Sequence, residues 1–155
     1  MTAGRGITHS ERFERARREG GRIDGIQASV ALPQVDEDGD PAFAHYGAND
    51  LPIFEENGVW GRLVAGKALG LHADVETHSP MFYIHWQLSA GARAELPAEY
   101  PERAIYVAAG RVEVEGQTFE QGEMLVFDNY RVDLPSVTLT LRSGVAIRAE
   151  PGDRR

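Results

Sequence analysis

From residue 59 onward the chain runs in short stretches of alternating apolar and polar residues, cut by glycine at turn-like intervals, and no other feature constrains the fold as strongly. In the clearest stretch, Phe82, Ile84, Trp86 and Leu88 alternate with Tyr83, His85 and Gln87. Successive side chains of a strand leave on opposite faces, so this spacing buries one row and leaves the other outside. Val137, Leu139 and Leu141 repeat the pattern against Thr138, Thr140 and Arg142, while Gly91, Gly110, Gly116, Gly122 and Gly144 punctuate the runs. Strands are expected over 59–65, 71–77, 81–89, 92–96, 104–109, 111–115, 117–120, 124–128, 132–134, 137–142 and 145–149. Helical stripes are absent. The pattern predicts an all-β fold, an antiparallel sandwich or barrel.

The first 50 residues read differently. Ser10 is placed to cap a short helix over 10–18, which Gly20-Gly21 would end. Ile26, Ala28, Val30 and Leu32 then alternate with Gln27, Ser29 and Ala31 up to Pro33, predicting a further strand over 25–32. The acidic run Asp36-Glu37-Asp38-Gly39-Asp40 lacks the spacing and closing glutamate of an EF-hand and reads as a surface turn. Arg12, Arg15, Arg17, Arg18 and Arg22 are interleaved with Glu11, Glu14 and Glu19, which makes a solvated charge pattern rather than a phosphate track.

A formal net charge of −8 opposes direct binding to nucleic acid or to an anionic membrane. No apolar run approaches the roughly 20 residues that span a bilayer, and the polar start does not resemble a signal peptide, so a cytoplasmic protein is expected. With no cysteine, thiolate chemistry and disulfides are excluded and any metal must be held by histidine and carboxylates. At 155 residues the chain can build one main core, a domain of that size burying roughly 68–70% of its unfolded surface.

The residues with most chemical content are His9 and Glu11, just after a Gly-rich turn. On an extended chain, residues two apart share a side, so imidazole and carboxylate would converge on one point. That is half of a metal site. Oxygen-activating iron or catalytic zinc uses three protein ligands and an open position, and nothing before His9 supplies the others. The chain accordingly reads as starting inside a functional unit. A hydrolytic triad built on Ser10 and His9 is disfavoured, because adjacent residues of an extended chain point apart and no nucleophile turn is present. His72, His78 and His85 lie six and seven residues apart and read as structural histidines, although a hairpin at Ser79-Pro80 could bring His78 near either neighbour. His45 reads as a loop residue.

Several segments taken together, MTAGRGITHSER, GRIDGIQASVALP, SPMFYIH, LSAGARAELP and ERAIYVAAGRVEVEGQTFEQGEMLVF, resemble the pirin family of bicupins from Met1 to about Val126. The resemblance implies a cupin-type, jelly-roll-like β-barrel with an N-terminal extension. Residues 1–50 would be the end of an N-terminal cupin and its linking strand, 51–150 a C-terminal cupin domain and 151–155 a polar tail. Pirins carry metal in the N-terminal barrel, on two histidines of a His-Pro-His-Arg-Gly type motif plus a later histidine and glutamate. The later pair matches His9 and Glu11, and the earlier motif is not in this chain.

By the same resemblance a metal-binding second barrel would carry histidines before Ile105-Tyr106-Val107 and after Leu125-Val126-Phe127. The segments 95–103 and 128–133 contain none, so the second barrel reads as metal-free. The chain also departs from the family pattern. Ala28-Ser29 stand where an aromatic is common, Gly61 where a β-branched residue is common, and the C-terminus lacks the long returning tail, which suits a degraded or shortened gene product or a domain kept for another purpose.

The family includes quercetin dioxygenases and transcriptional co-regulators, and its metal is iron or another divalent transition ion such as manganese, nickel, copper or zinc. With only His9 and Glu11, the expectation is a pirin-like interaction or structural module without catalysis of its own. The alternative is a quercetinase-like, metal-dependent dioxygenase whose site is completed by a missing N-terminal segment or by a second chain, a twofold dimer setting two His9–Glu11 pairs against each other. The strand at 25–32 would lose its usual neighbours, and an uncovered sheet edge seeks partners. A homo-oligomer or a protein partner is therefore expected.

Overall fold

A computed structural model describes residues 1–21, 25–127 and 138–141, with Arg15 and residues 138–141 given by their backbone. Arg22 of the basic run, the strands expected at 132–134 and 145–149, the ends of those expected at 124–128 and 137–142, and the tail at 151–155 lie outside the described residues. The chain divides into two compact units, Met1–His45 and Tyr46–Arg155.

In the second unit the all-β reading holds. Among the described residues ten antiparallel strands follow one another: β1 (Ile53–Glu56), β2 (Val59–Ala68), β3 (Leu71–His72), β4 (Phe82–Leu88), β5 (Arg93–Glu95), β6 (Arg103–Tyr106), β7 (Arg111–Val114), β8 (Gln117–Glu120), β9 (Met124–Phe127) and β10 (Thr138–Leu141). The ten-residue β2 is the spine of one sheet, pairing with β1, β3 and β4. A second sheet runs β5-β10-β7-β8, and β6 pairs with β9.

Three tight hairpins set these registers. The pairs Glu56 with Val59, Ala68 with Leu71 and Val114 with Gln117 each enclose two residues. All six loop residues, Asn57-Gly58, Leu69-Gly70 and Glu115-Gly116, have positive φ. These are mirror-image turns, whose twist matches that of the strands they join, and they place glycine second, where positive φ is free of steric cost.

Inward-facing residues of the sheets meet in one core of Val59, Ala92, Ala94, Leu96, Val107, Val112, Val114 and Leu125, flanked by Phe54, Phe82, Trp86, Leu88, Phe119 and Phe127. Leu63, Ala68 and Ala73 form a smaller cluster with Ile84 packed on it. The predicted inward row of β4 thus packs as expected. Gly61 has a direct explanation, because the Phe54 ring lies across it and a Cβ there would come within 2.1 Å of the ring. Gly66 is equally constrained: it has φ +77°, and a Cβ would fall 1.8 Å from the carbonyl oxygen of Met81.

Among its described residues the first unit is held by backbone and charge contacts, and none of the buried core residues lies in it. Thr2 and Ala42 exchange two backbone hydrogen bonds, the Arg5 N–H donates to the Gly39 carbonyl, and Arg5 pairs with Asp40. Residues 36–40 form the surface turn expected of them, with the Gly39 N–H donating to the Asp36 carbonyl. Two expectations are corrected here. The helix is α1 (Glu14–Glu19), preceded by Phe13 rather than capped by Ser10; Glu14 in its first turn and Arg17 and Arg18 in its last complement the helix dipole. Residues 25–32 form no strand, and Ile26 and Val30 stand more than half exposed. Alternation alone cannot make a strand when no neighbouring backbone takes up the N–H and C=O groups.

Candidate functional site

His9 and Glu11 lie in the first unit on unpaired chain between the Gly4 turn and α1, and both are exposed. No group of three or more histidine, aspartate or glutamate side chains able to hold a metal ion occurs among the described residues. His72 and His78 are exposed and His45 lies on exposed loop. The structure therefore does not gather the histidines of 72–85 into a donor set among the described residues.

His85 is drawn into a cluster, on the face of β4 opposite the core. The register sets it across from Arg62 of β2, with Gln87 across from Trp60. The His85 ring meets Trp60 edge-on at 5.7 Å, and the Arg62 guanidinium lies over Trp60 at 5.1 Å from the ring centre. Burial pushes the His85 pKa down from its usual value, and the Arg62 charge pushes it the same way. Desolvation disfavours the cation, and a neighbouring cation disfavours it further. On the other side of β2, β1 sets Glu55 across from Trp60 and Ile53 across from Arg62.

Sequence reasoning did not find this cluster. Trp60 and Arg62 are recognisable as the outward row of a strand, but their meeting with His85 depends on cross-strand register, which the alternation leaves open.

Arg103 is a second residue that the pattern did not single out. It opens β6, is buried, donates from Nη1 to the Pro97 carbonyl at 3.4 Å, and lies 5.9 Å from the centre of the Phe127 ring. This puts a fixed positive charge, not a metal donor, at the end of segment 95–103. An open cleft of 320 Å³ lies near by in the fold, lined by Val114, Phe119, Leu125 and Phe127 with Glu115 and Gln117 at its polar side.

Comparison with known proteins gives these observations a family. The profile of the pirin C-terminal cupin domain matches residues 83–148. A pirin-like protein of Caulobacter vibrioides is 56% identical over 128 residues, which cover 82% of this chain and 44% of that protein. Pirin-1 of Arabidopsis thaliana is 33% identical over 93 residues, covering 60% of this chain and 31% of that protein. Among solved structures, a quercetin 2,3-dioxygenase from Acinetobacter baumannii superposes with a TM-score of 0.63 at 25% identity, over 74% of this chain and 37% of that one. The chain thus spans less than half the length of each of these proteins. Its antiparallel sheets and these matches agree, and the chain belongs to the pirin family of cupin proteins, with the C-terminal cupin domain as the part matched by the family profile.

Proposed function

We propose that this chain acts as a pirin-like cupin module that engages another protein or a second copy of itself, without a catalytic centre of its own. The observation that carries the reading is the donor set. His9 and Glu11 are exposed and belong to no cluster of three potential ligands among the described residues. Two donors fall short of the three that an iron or zinc centre of this kind requires, so the described residues do not fit a complete metal site. In this reading residues 1–50 are the end of a first cupin and its linker, 51–150 the second cupin and 151–155 a tail.

Support for partner binding comes from the first unit, where Ile26, Val30, Val35 and Phe43 are 57%, 60%, 90% and 71% exposed. Apolar side chains left in water favour association. No helix among the described residues is long and apolar enough to cross a membrane. The test is quercetin consumption under air by the purified chain supplied in turn with iron, manganese, nickel, copper and zinc. The expected result is no turnover above that of the metal salt; turnover that saturates with quercetin contradicts the module reading.

A second reading has an observation of its own. The neighbour from Acinetobacter baumannii is a quercetin 2,3-dioxygenase, and exposed His9 and Glu11 are free to meet donors from elsewhere. A metal centre completed by a second copy would then hold one ion per two chains. Metal well below one half equivalent per chain, or metal content indifferent to His9→Ala, removes it.

A further inference from the structure

We infer that the outer face of β2 and β4 is a seat for an acidic side chain, an aspartate or glutamate presented by a partner protein, with Arg62 as its anchor. The inference rests on the module reading and assigns that module a surface.

Arg62 is partly desolvated and has no anionic partner among the described residues. It is half-buried, and its Nε is fully covered with no hydrogen-bond acceptor. Its cross-strand neighbours are Ile53 and His85, neither of them anionic, and the diagonal Glu55 makes no ion pair with it. The covered Nε is out of an incoming group's reach, so a partner's carboxylate would be taken by the outer nitrogens of the guanidinium. The guanidinium is also held in place, since it lies on the Trp60 ring with His85 against the ring's edge. A stacked guanidinium surrenders little further freedom on binding, and its planar fork matches a carboxylate.

The same surroundings favour a protein carboxylate over a small acid. Trp60, Arg62, Tyr83, His85 and Gln87 are half-buried along the paired strands β2 and β4, with a register shift between Leu63 and Ala65. Small molecules bind in concavities that enclose them, whereas a sheet face with one desolvated cation suits a side chain delivered on another surface.

The test follows the Arg62 Nε–H signal of the ¹⁵N-labelled full chain by NMR, assigned by its loss in both Arg62→Lys and Arg62→Gln. Three probes are titrated at constant ionic strength: a short glutamate-containing peptide, its glutamine counterpart, and acetate. The expected result is a saturable downfield shift with the glutamate peptide, accompanied by the Trp60 indole N–H. Half-saturation should come at least about tenfold below that of acetate, with no response to the glutamine peptide. An unmoved Arg62 signal, an equal response to the glutamine peptide, or acetate acting as well as the peptide overturns the inference. Failure of the module reading shows separately, as quercetin turnover.

Discussion

Gly61 and Phe54 show how one residue's identity is fixed by another that is seven positions away in the chain. The pair meets across β1 and β2, and the ring occupies the space that a Cβ would need. Gly61→Val is therefore expected to destabilise the chain by about 1–3 kcal/mol through overpacking, read as a lower urea midpoint with an unchanged slope. The family resemblance marks Gly61 as unusual but not why, because the reason lies in register. His85 carries a second expectation at this scale. Its pKa is lowered in the fold by burial and by Arg62, so the folded chain favours the neutral ring while the unfolded chain titrates near 6.5. The unfolded state then takes up protons first as the pH falls. Stability from this group is complete above the unfolded pKa, is lost progressively as the pH drops from about 6.5 toward the folded pKa, and is level below it. Urea unfolding between pH 7.5 and 5 should show this loss in the parent and less of it in His85→Gln. An equal loss in both assigns the pH dependence to other groups.

Among the elements, the hairpin turns divide what alternation reveals from what it hides. β4 was legible because its period-2 pattern is unbroken from Phe82 to Leu88 and its inward row packs on the core. β1 escaped, since Ile53, Glu55 and Glu56 are exposed and only Phe54 turns toward the core; the better signal was Asn57-Gly58, a strong local mark of a two-residue hairpin. At 71–77 the outward row, His72, Asp74 and Glu76, is exposed as the pattern implies, yet β3 is only Leu71–His72. Side-chain alternation reports which way residues face, and a strand also needs a backbone partner. The β2–β3 turn makes a testable case. Leu69 is 43% exposed and held at φ +54°, a conformation that costs a leucine about 1–2 kcal/mol. Leu69→Asn keeps the backbone N–H that donates to Glu99 and is expected to raise stability by about 0.5–1 kcal/mol, seen as a higher melting temperature. A fall would show that the Leu69 side chain, not its backbone, matters to the turn.

For the whole molecule, the second unit carries the buried core, the first carries the His9–Glu11 pair, and exposed apolar side chains occur on both, Val35 and Phe43 on the first and Met124 and Val126 on the second. His9 and Glu11 could be recognised from spacing and family resemblance alone. Their lack of further donors among the described residues required the structure, because ligand sets assemble across the fold rather than along the chain. Association is expected from the exposed apolar side chains: sedimentation at micromolar concentration should give a species heavier than 17 kDa, and a single 17 kDa species would count against partner binding between copies. The most direct test of the account is the metal content of the purified chain after incubation with ferrous iron and, in parallel, zinc, followed by desalting, in the parent and in His9→Ala. The account predicts well under one half equivalent per chain in both proteins; one equivalent per chain that His9→Ala abolishes would contradict it.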